Sequence, residues 1–159
     1  MKKKTKLDII SQSDKTSLYS ISFEVDGTTE FERFVEEFEM NATYNGDYQR
    51  IIAALQAILR VGALERFFRP EGKMNDNVAA IPIEGGKLRL YCLRISEQIV
   101  ILGNGGVKNT KTYEEDPKLY GYVMDLQRFE KILNKNLEKG LVRIEEKELT
   151  GIDELTFEI

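Results

Sequence analysis

Asn77-Val-Ala-Ala-Ile-Pro-Ile-Glu-Gly-Gly-Lys-Leu-Arg-Leu-Tyr-Cys-Leu-Arg-Ile-Ser-Glu-Gln-Ile-Val-Ile-Leu-Gly103 is the stretch that decides the fold. Three apolar runs (77–83, 87–95 and 98–103) are separated by Glu84-Gly85-Gly86 and Ser96-Glu97. Both connections are short enough for hairpins, so the runs read as an antiparallel meander. In the middle run Lys87, Arg89 and Tyr91 alternate with Leu88, Leu90 and Cys92. Side chains on a strand point alternately to its two faces, so this predicts one apolar and one polar face. The unbroken Ile99-Val100-Ile101-Leu102 reads as a central strand, and Gly103-Asn104-Gly105-Gly106 reads as a loop.

Upstream, residues 17–25 alternate, with Tyr19, Ile21, Phe23 and Val25 opposing Leu18, Ser20, Ser22 and Glu24. This predicts a half-buried strand with the aromatic set inward. Asp26-Gly27-Thr28 breaks it, and Thr28 is placed to cap a helix over 28–40. Phe31, Phe34, Val35 and Phe38 form that helix's apolar stripe. After Asn45-Gly46-Asp47 a second helix is expected over 48–61, buried through Ile51, Ile52, Leu55, Ile58 and Leu59. The segment 62–76, with Arg66, Phe67, Phe68, Arg69 and Pro70, reads as a helical turn and loop.

Downstream, Asp116-Pro117 opens a third helix over 118–139 whose apolar register runs from Leu119 to Leu133. Gly140 stops it. The expected order is β-α-α-β-β-β-α. That order implies an α+β domain over 1–140, with a small twisted antiparallel sheet, helices on one face and the other face open. The C-terminal extension 141–159 is expected to supply an edge strand or a partner-binding tail.

Composition narrows the chemistry. The 159 residues are 42% hydrophobic and 31% charged, a balance that supports a packed core. The chain contains no histidine, which removes histidine-based triads, HExxH sites and His-ligated metals. The single cysteine, Cys92, lies on the apolar face of its strand and excludes an internal disulfide or a CxxC site. It suits a reducing cytoplasm. The N-terminus is charged without an apolar run behind it, so neither a signal peptide nor a membrane association is expected. No metal and no small-molecule cofactor is expected either. The Gly103–Gly106 segment lacks the spacing of a nucleotide P-loop.

The net charge of −4 hides a pattern: −3 over 1–59, +4 over 60–113 and −5 over 114–159. A basic middle flanked by acidic ends can present one local positive surface to an anion. On the open sheet face, Arg89 would grip a phosphate with Tyr91 beside it, while Lys108 and Lys111 approach on the glycine loop. Arg94 has the opposite parity and would join them only through a bulge.

From Tyr19 to about Leu133 the chain resembles the RelE/ParE toxin superfamily, and most of all its phage-derived, HigB-like branch. The likeness rests on Leu88-Arg89-Leu90-Tyr91, Ile99-Val100-Ile101-Leu102-Gly103, Val107-Lys108-Asn109-Thr110-Lys111-Thr112 and the helix after Asp116-Pro117. It implies a toxin that cuts mRNA on the ribosome, metal-independently, and is neutralised by a cognate antitoxin. Arg89 would stabilise the scissile phosphate, Lys108 and Lys111 would add positive charge, and Tyr91 or Tyr113 would stack or move a proton. Lys87, Arg94, Tyr113, Arg66 and Arg69 would contact substrate. Three features depart from the family pattern: Asn109 stands where it has lysine, 77–83 carries no arginine, and the chain is acidic. The alternative is a member of the same fold that binds proteins and has lost catalysis.

Overall fold

A computed structural model describes residues 3–23, 27–71 and 76–159. Among the described residues, nine strands and three α-helices run in the order β1 (Lys4–Gln12), β2 (Ser17–Phe23), α1 (Glu30–Phe38), α2 (Asn45–Val61), β3 (Arg69–Pro70), β4 (Val78–Ala80), β5 (Leu88–Arg94), β6 (Ile99–Val107), α3 (Pro117–Glu138), β7 (Arg143–Glu145), β8 (Glu148–Thr150) and β9 (Phe157–Glu158). Short 3₁₀ turns lie at Glu65–Phe67 and Tyr113–Glu115.

The fold is α+β, built on a seven-stranded sheet of order β3-β4-β5-β6-β2-β1-β9. The sheet is larger than expected and mixed: every pair is antiparallel except β2–β6, which runs parallel at the centre. The connection from β2 to β6 carries α1 and α2, as a crossover between parallel strands requires. β7 and β8 form a separate hairpin.

Both faces of the sheet are covered, which overturns the expected open face. Under α1 and α2 lie Leu18, Leu88, Leu90, Cys92, Val100 and Leu102, packed on Phe34, Phe38, Ile51, Leu55 and Ile58. The opposite face presents Tyr19, Ile21, Tyr91, Leu93, Ile99 and Ile101 to α3 through Leu119, Val123, Leu126, Phe129 and Leu133. Strands covered on both faces read as nearly continuous apolar runs, and that is the true meaning of Leu90-Tyr91-Cys92-Leu93.

Three local expectations change as well. The N-terminal segment forms β1, which pairs along β2 from Thr5–Phe23 to Gln12–Ser17. Thr29, not Thr28, caps α1: its side chain accepts from the Glu32 N–H while the Glu32 carboxylate accepts from the Thr29 N–H. The apparent glycine loop is strand. Gly103 and Asn104 bulge opposite Tyr91, and β6 continues to Val107. Its glycines allow close approach. A Cβ on Gly105 would lie 1.8 Å from the Arg89 carbonyl oxygen, and one on Gly103 or Gly106 would press on Leu126 or Leu119 of α3.

Other expectations stand. Phe34 and Phe38 are buried with Phe31 and Val35 packed beside them. α3 is capped by Asp116, which accepts from the Lys118 and Leu119 N–H groups, and it ends at Gly140 in the left-handed region. Positions 24–26 and 72–75 of the expected strand and loop lie outside the described residues. The extension from Leu141 folds back onto its own domain. Val142, Leu149, Ile152, Phe157 and Ile159 join the α3-side core, and β9 pairs with β1 at Lys4–Glu158 and Thr5–Phe157.

Candidate functional site

Positive charge gathers where β5 begins and β6 ends, beside the first turn of α3. Arg89 pairs with Gly106, and Leu88 with Val107. One step further out the Lys108 N–H donates to the Lys87 carbonyl at 2.8 Å. Directly opposed residues of an antiparallel pair point to the same side. Leu88 and Val107 face α2, so Lys87, Arg89 and Lys108 share the α3 side. Gly106 lies between them with no side chain of its own, and Leu119 of α3 packs close against it. Lys87 is exposed, while Arg89 and Lys108 are half-buried.

Arg89 is anchored by its own hairpin. Its Nη1 donates to the Gly86 and Leu88 carbonyls at 2.9 and 3.0 Å, while its buried Nε has no partner. The guanidinium is therefore oriented by backbone carbonyls.

Next to it Tyr91 is fully buried, and its hydroxyl makes no hydrogen bond. Burial pushes its phenol well above the ordinary range. The charge of Glu71 adds to that, while Arg89 pulls the other way. Its ring meets Tyr113 edge-on at 6.4 Å between centroids, and Tyr113 stacks on Tyr120 at 6.4 Å and 14°. An aromatic column thus runs from sealed Tyr91 through Tyr113, 8% exposed, to Tyr120, 42% exposed. The Tyr113 phenol is also raised, chiefly by burial and then by Glu114. Both inner tyrosines are protonated at neutral pH.

Of the residues singled out in the sequence, Lys87, Arg89, Lys108, Tyr91 and Tyr113 come together. The enclosure of Tyr91 overturns the idea that its ring stacks on a base. Lys111 lies on the exposed approach to the 3₁₀ turn, where its N–H donates to Glu115. Arg66 stacks over the Phe67 ring at 5.1 Å, and Arg69 sits exposed in β3. Arg94 is on the α2 side, its Nε donating to the Ala63 carbonyl at 2.7 Å, on the wall of a hollow of about 390 Å³. A bulge does exist, but it lies in β6, so β5 keeps its alternation and Arg94 stays on the far face.

The sequence reading missed Tyr120, whose only signal is its position seven residues after Tyr113. It also missed a buried polar group beside the N-terminal half of α3. There Glu30, 7% exposed, hydrogen-bonds Asn104 and pairs with Arg33 at 3.3 Å, and its carboxyl is raised mainly by burial. Nearby, Lys3 reaches Asp125 at 3.0 Å. Among the described residues no group of three acidic or cysteine side chains converges as metal ligands, and no helix is long and apolar enough to cross a membrane.

Against this geometry, comparison with known proteins returns no match, whether to a family model, a curated protein or a solved structure.

Proposed function

We propose that this chain binds RNA through its phosphates and cleaves it, as a toxin held in check by an antitoxin partner. The observation that carries this reading is the convergence of Lys87, Arg89 and Lys108 on one face of the β5–β6 hairpin, with Arg89 anchored through its Nη1. A guanidinium fixed by its own backbone costs little entropy to engage a phosphate. Attack by a ribose 2′-hydroxyl on the neighbouring phosphate builds negative charge on the equatorial oxygens, and Arg89 and Lys108 neutralise it. As the 2′-oxygen bonds to phosphorus the bond to the 5′-oxygen breaks, leaving a 2′,3′-cyclic phosphate. Water takes the 2′-hydroxyl proton and returns one to the 5′-oxygen, because phenols raised by burial are too weak as acids to supply it. Tyr120, at the exposed end of the aromatic column, offers a ring for a base.

The test is induced expression in a bacterial host, wild type beside Arg89→Ala, with growth and translation followed. Arrest by the wild type, relieved in the variant, is the expected result, and a harmless wild type overturns cleavage. A second reading, a binding module without catalysis, is favoured by the sealed Tyr91 hydroxyl, which has no route to substrate in this conformation. Protein-partner binding that survives Arg89→Ala with Lys108→Ala, without growth arrest by the wild type, would select that reading.

A further inference from the structure

We infer that the outer edge of β1 and the groove beside it receive an extended, basic segment of another protein as an added strand. β9 covers β1 only at Lys4 and Thr5, and among the described residues no strand pairs with the edge from 7 to 11. An unpaired edge presents backbone donors and acceptors to an incoming chain. Beside it lies a groove of about 420 Å³ between β1 and the β8 end of the tail hairpin. Leu7, Ile9, Leu149 and Ile152 give it an apolar lining, and Ile9 is 51% exposed.

The charge around this edge selects the occupant. Glu148 and Asp153 line the groove, and their negative field helps hold the Tyr19 phenol above its ordinary value, after burial itself. On the other face of β1, Asp8 accepts from the Ser22 hydroxyl. Alternate residues of a strand paired to this edge point into the groove. Lysines or arginines there lay their aliphatic stems over Leu7 and Ile9 and bring their charges to Glu148 and Asp153. A nucleic acid or an acidic peptide is repelled by the same carboxylates. This edge lies across the sheet from the β5–β6 hairpin and shares no residue with the site there.

The experiment uses the full chain and a fluorescein-labelled peptide of alternating valine and lysine, read by anisotropy and by amide hydrogen exchange. The expected result is saturable binding that protects the backbone amides of β1. Binding is about tenfold weaker in Glu148→Gln with Asp153→Asn. It is lost when the pairing-edge amides of the peptide are N-methylated. Both substituted residues are exposed, and an unchanged melting temperature confirms that the variant is folded. Equal binding of the N-methylated peptide, displacement by spermine at matched charge, or absence of protection in β1 overturns strand addition. Dimerisation of the chain alone through β1 overturns it too, because the edge is then already taken. Neither result bears on growth arrest through Arg89.

Discussion

Glycine placement is the finest scale at which this sequence specifies its structure. Gly105 sits so close to the Arg89 carbonyl that a methyl group would have to displace backbone, whereas a Cβ on Gly121, within α3, would meet nothing inside 4 Å. Gly105→Ala is expected to cost about 2–4 kcal/mol through strain at the bulge. Gly121→Ala should add roughly 0.5–1 kcal/mol by restricting the unfolded chain. Chemical denaturation of the two variants checks the pair, and similar midpoints would contradict the bulge geometry. Glu30 supplies a second test at this scale. Its folded-state carboxyl is raised by burial, so the folded chain binds this proton more tightly than the unfolded one. Stability from this group therefore falls as pH rises from the ordinary carboxylate range through the folded value, and stays lower above it. Glu30→Gln removes that loss, so its melting temperature relative to wild type should climb between mildly acidic and neutral pH. A constant offset would show that the group does not titrate with folding. Neither residue announces itself in the sequence: Gly105 stands in an expected loop, and Glu30 is one of several acids in the first helix. Their environments come from β5 and Asn104, which are distant along the chain.

Local periodicity carried most of the elements. The phenylalanine stripe of α1, the register of α3 and the hairpin runs of β5 and β6 all follow from patterns within one segment. What it could not carry was pairing between segments. β1 mixes charged and apolar residues as edge strands do, and β9 is two residues long, so each becomes a strand only through its neighbour. The candidate site divides along the same line. The face shared by Lys87 and Arg89 was readable from alternation, while the burial of Tyr91 depended on α3 lying over a face expected to be open. The tail gives this argument its sharpest test. Phe157 packs edge-on against Phe129 at 5.1 Å and is 1% exposed, so Phe157→Ala should cost about 3–5 kcal/mol. Ending the chain at Gly140 removes five core residues from the α3-side cluster. At about 1.5–3 kcal/mol each, that loss rivals the whole stability of a domain of this size. The shortened chain should show no cooperative melt, and a sharp transition would instead make the tail an appendage.

Across the whole molecule, charge is segregated rather than balanced. The basic middle segment, net +4, folds into the meander that ends at Lys87 and Lys108, and the acidic C-terminal segment, net −5, closes the opposite flank of the sheet. Screening limits each patch to its surroundings, because the Debye length at physiological salt is about 8 Å. An acidic protein can therefore hold RNA at one end and repel it at the other, and the overall charge does not decide whether it binds. Affinity should instead count the local cations. Each phosphate neutralised on a single strand contributes a slope of about −0.7 to log affinity against log salt concentration. With Lys87, Arg89 and Lys108 engaged, single-stranded RNA should show a slope of about −2. Arg89→Ala should reduce that slope by about 0.7 and lower affinity for every sequence alike, since phosphate contacts carry no base information. Lys135→Ala, remote from the hairpin at the C-terminal end of α3, should leave the slope unchanged. Filter binding across a salt series measures all three. A slope that responds equally to Lys135 and Arg89 would mean diffuse attraction by the whole surface. A slope altered at Arg89 alone places the RNA backbone on the β5–β6 hairpin.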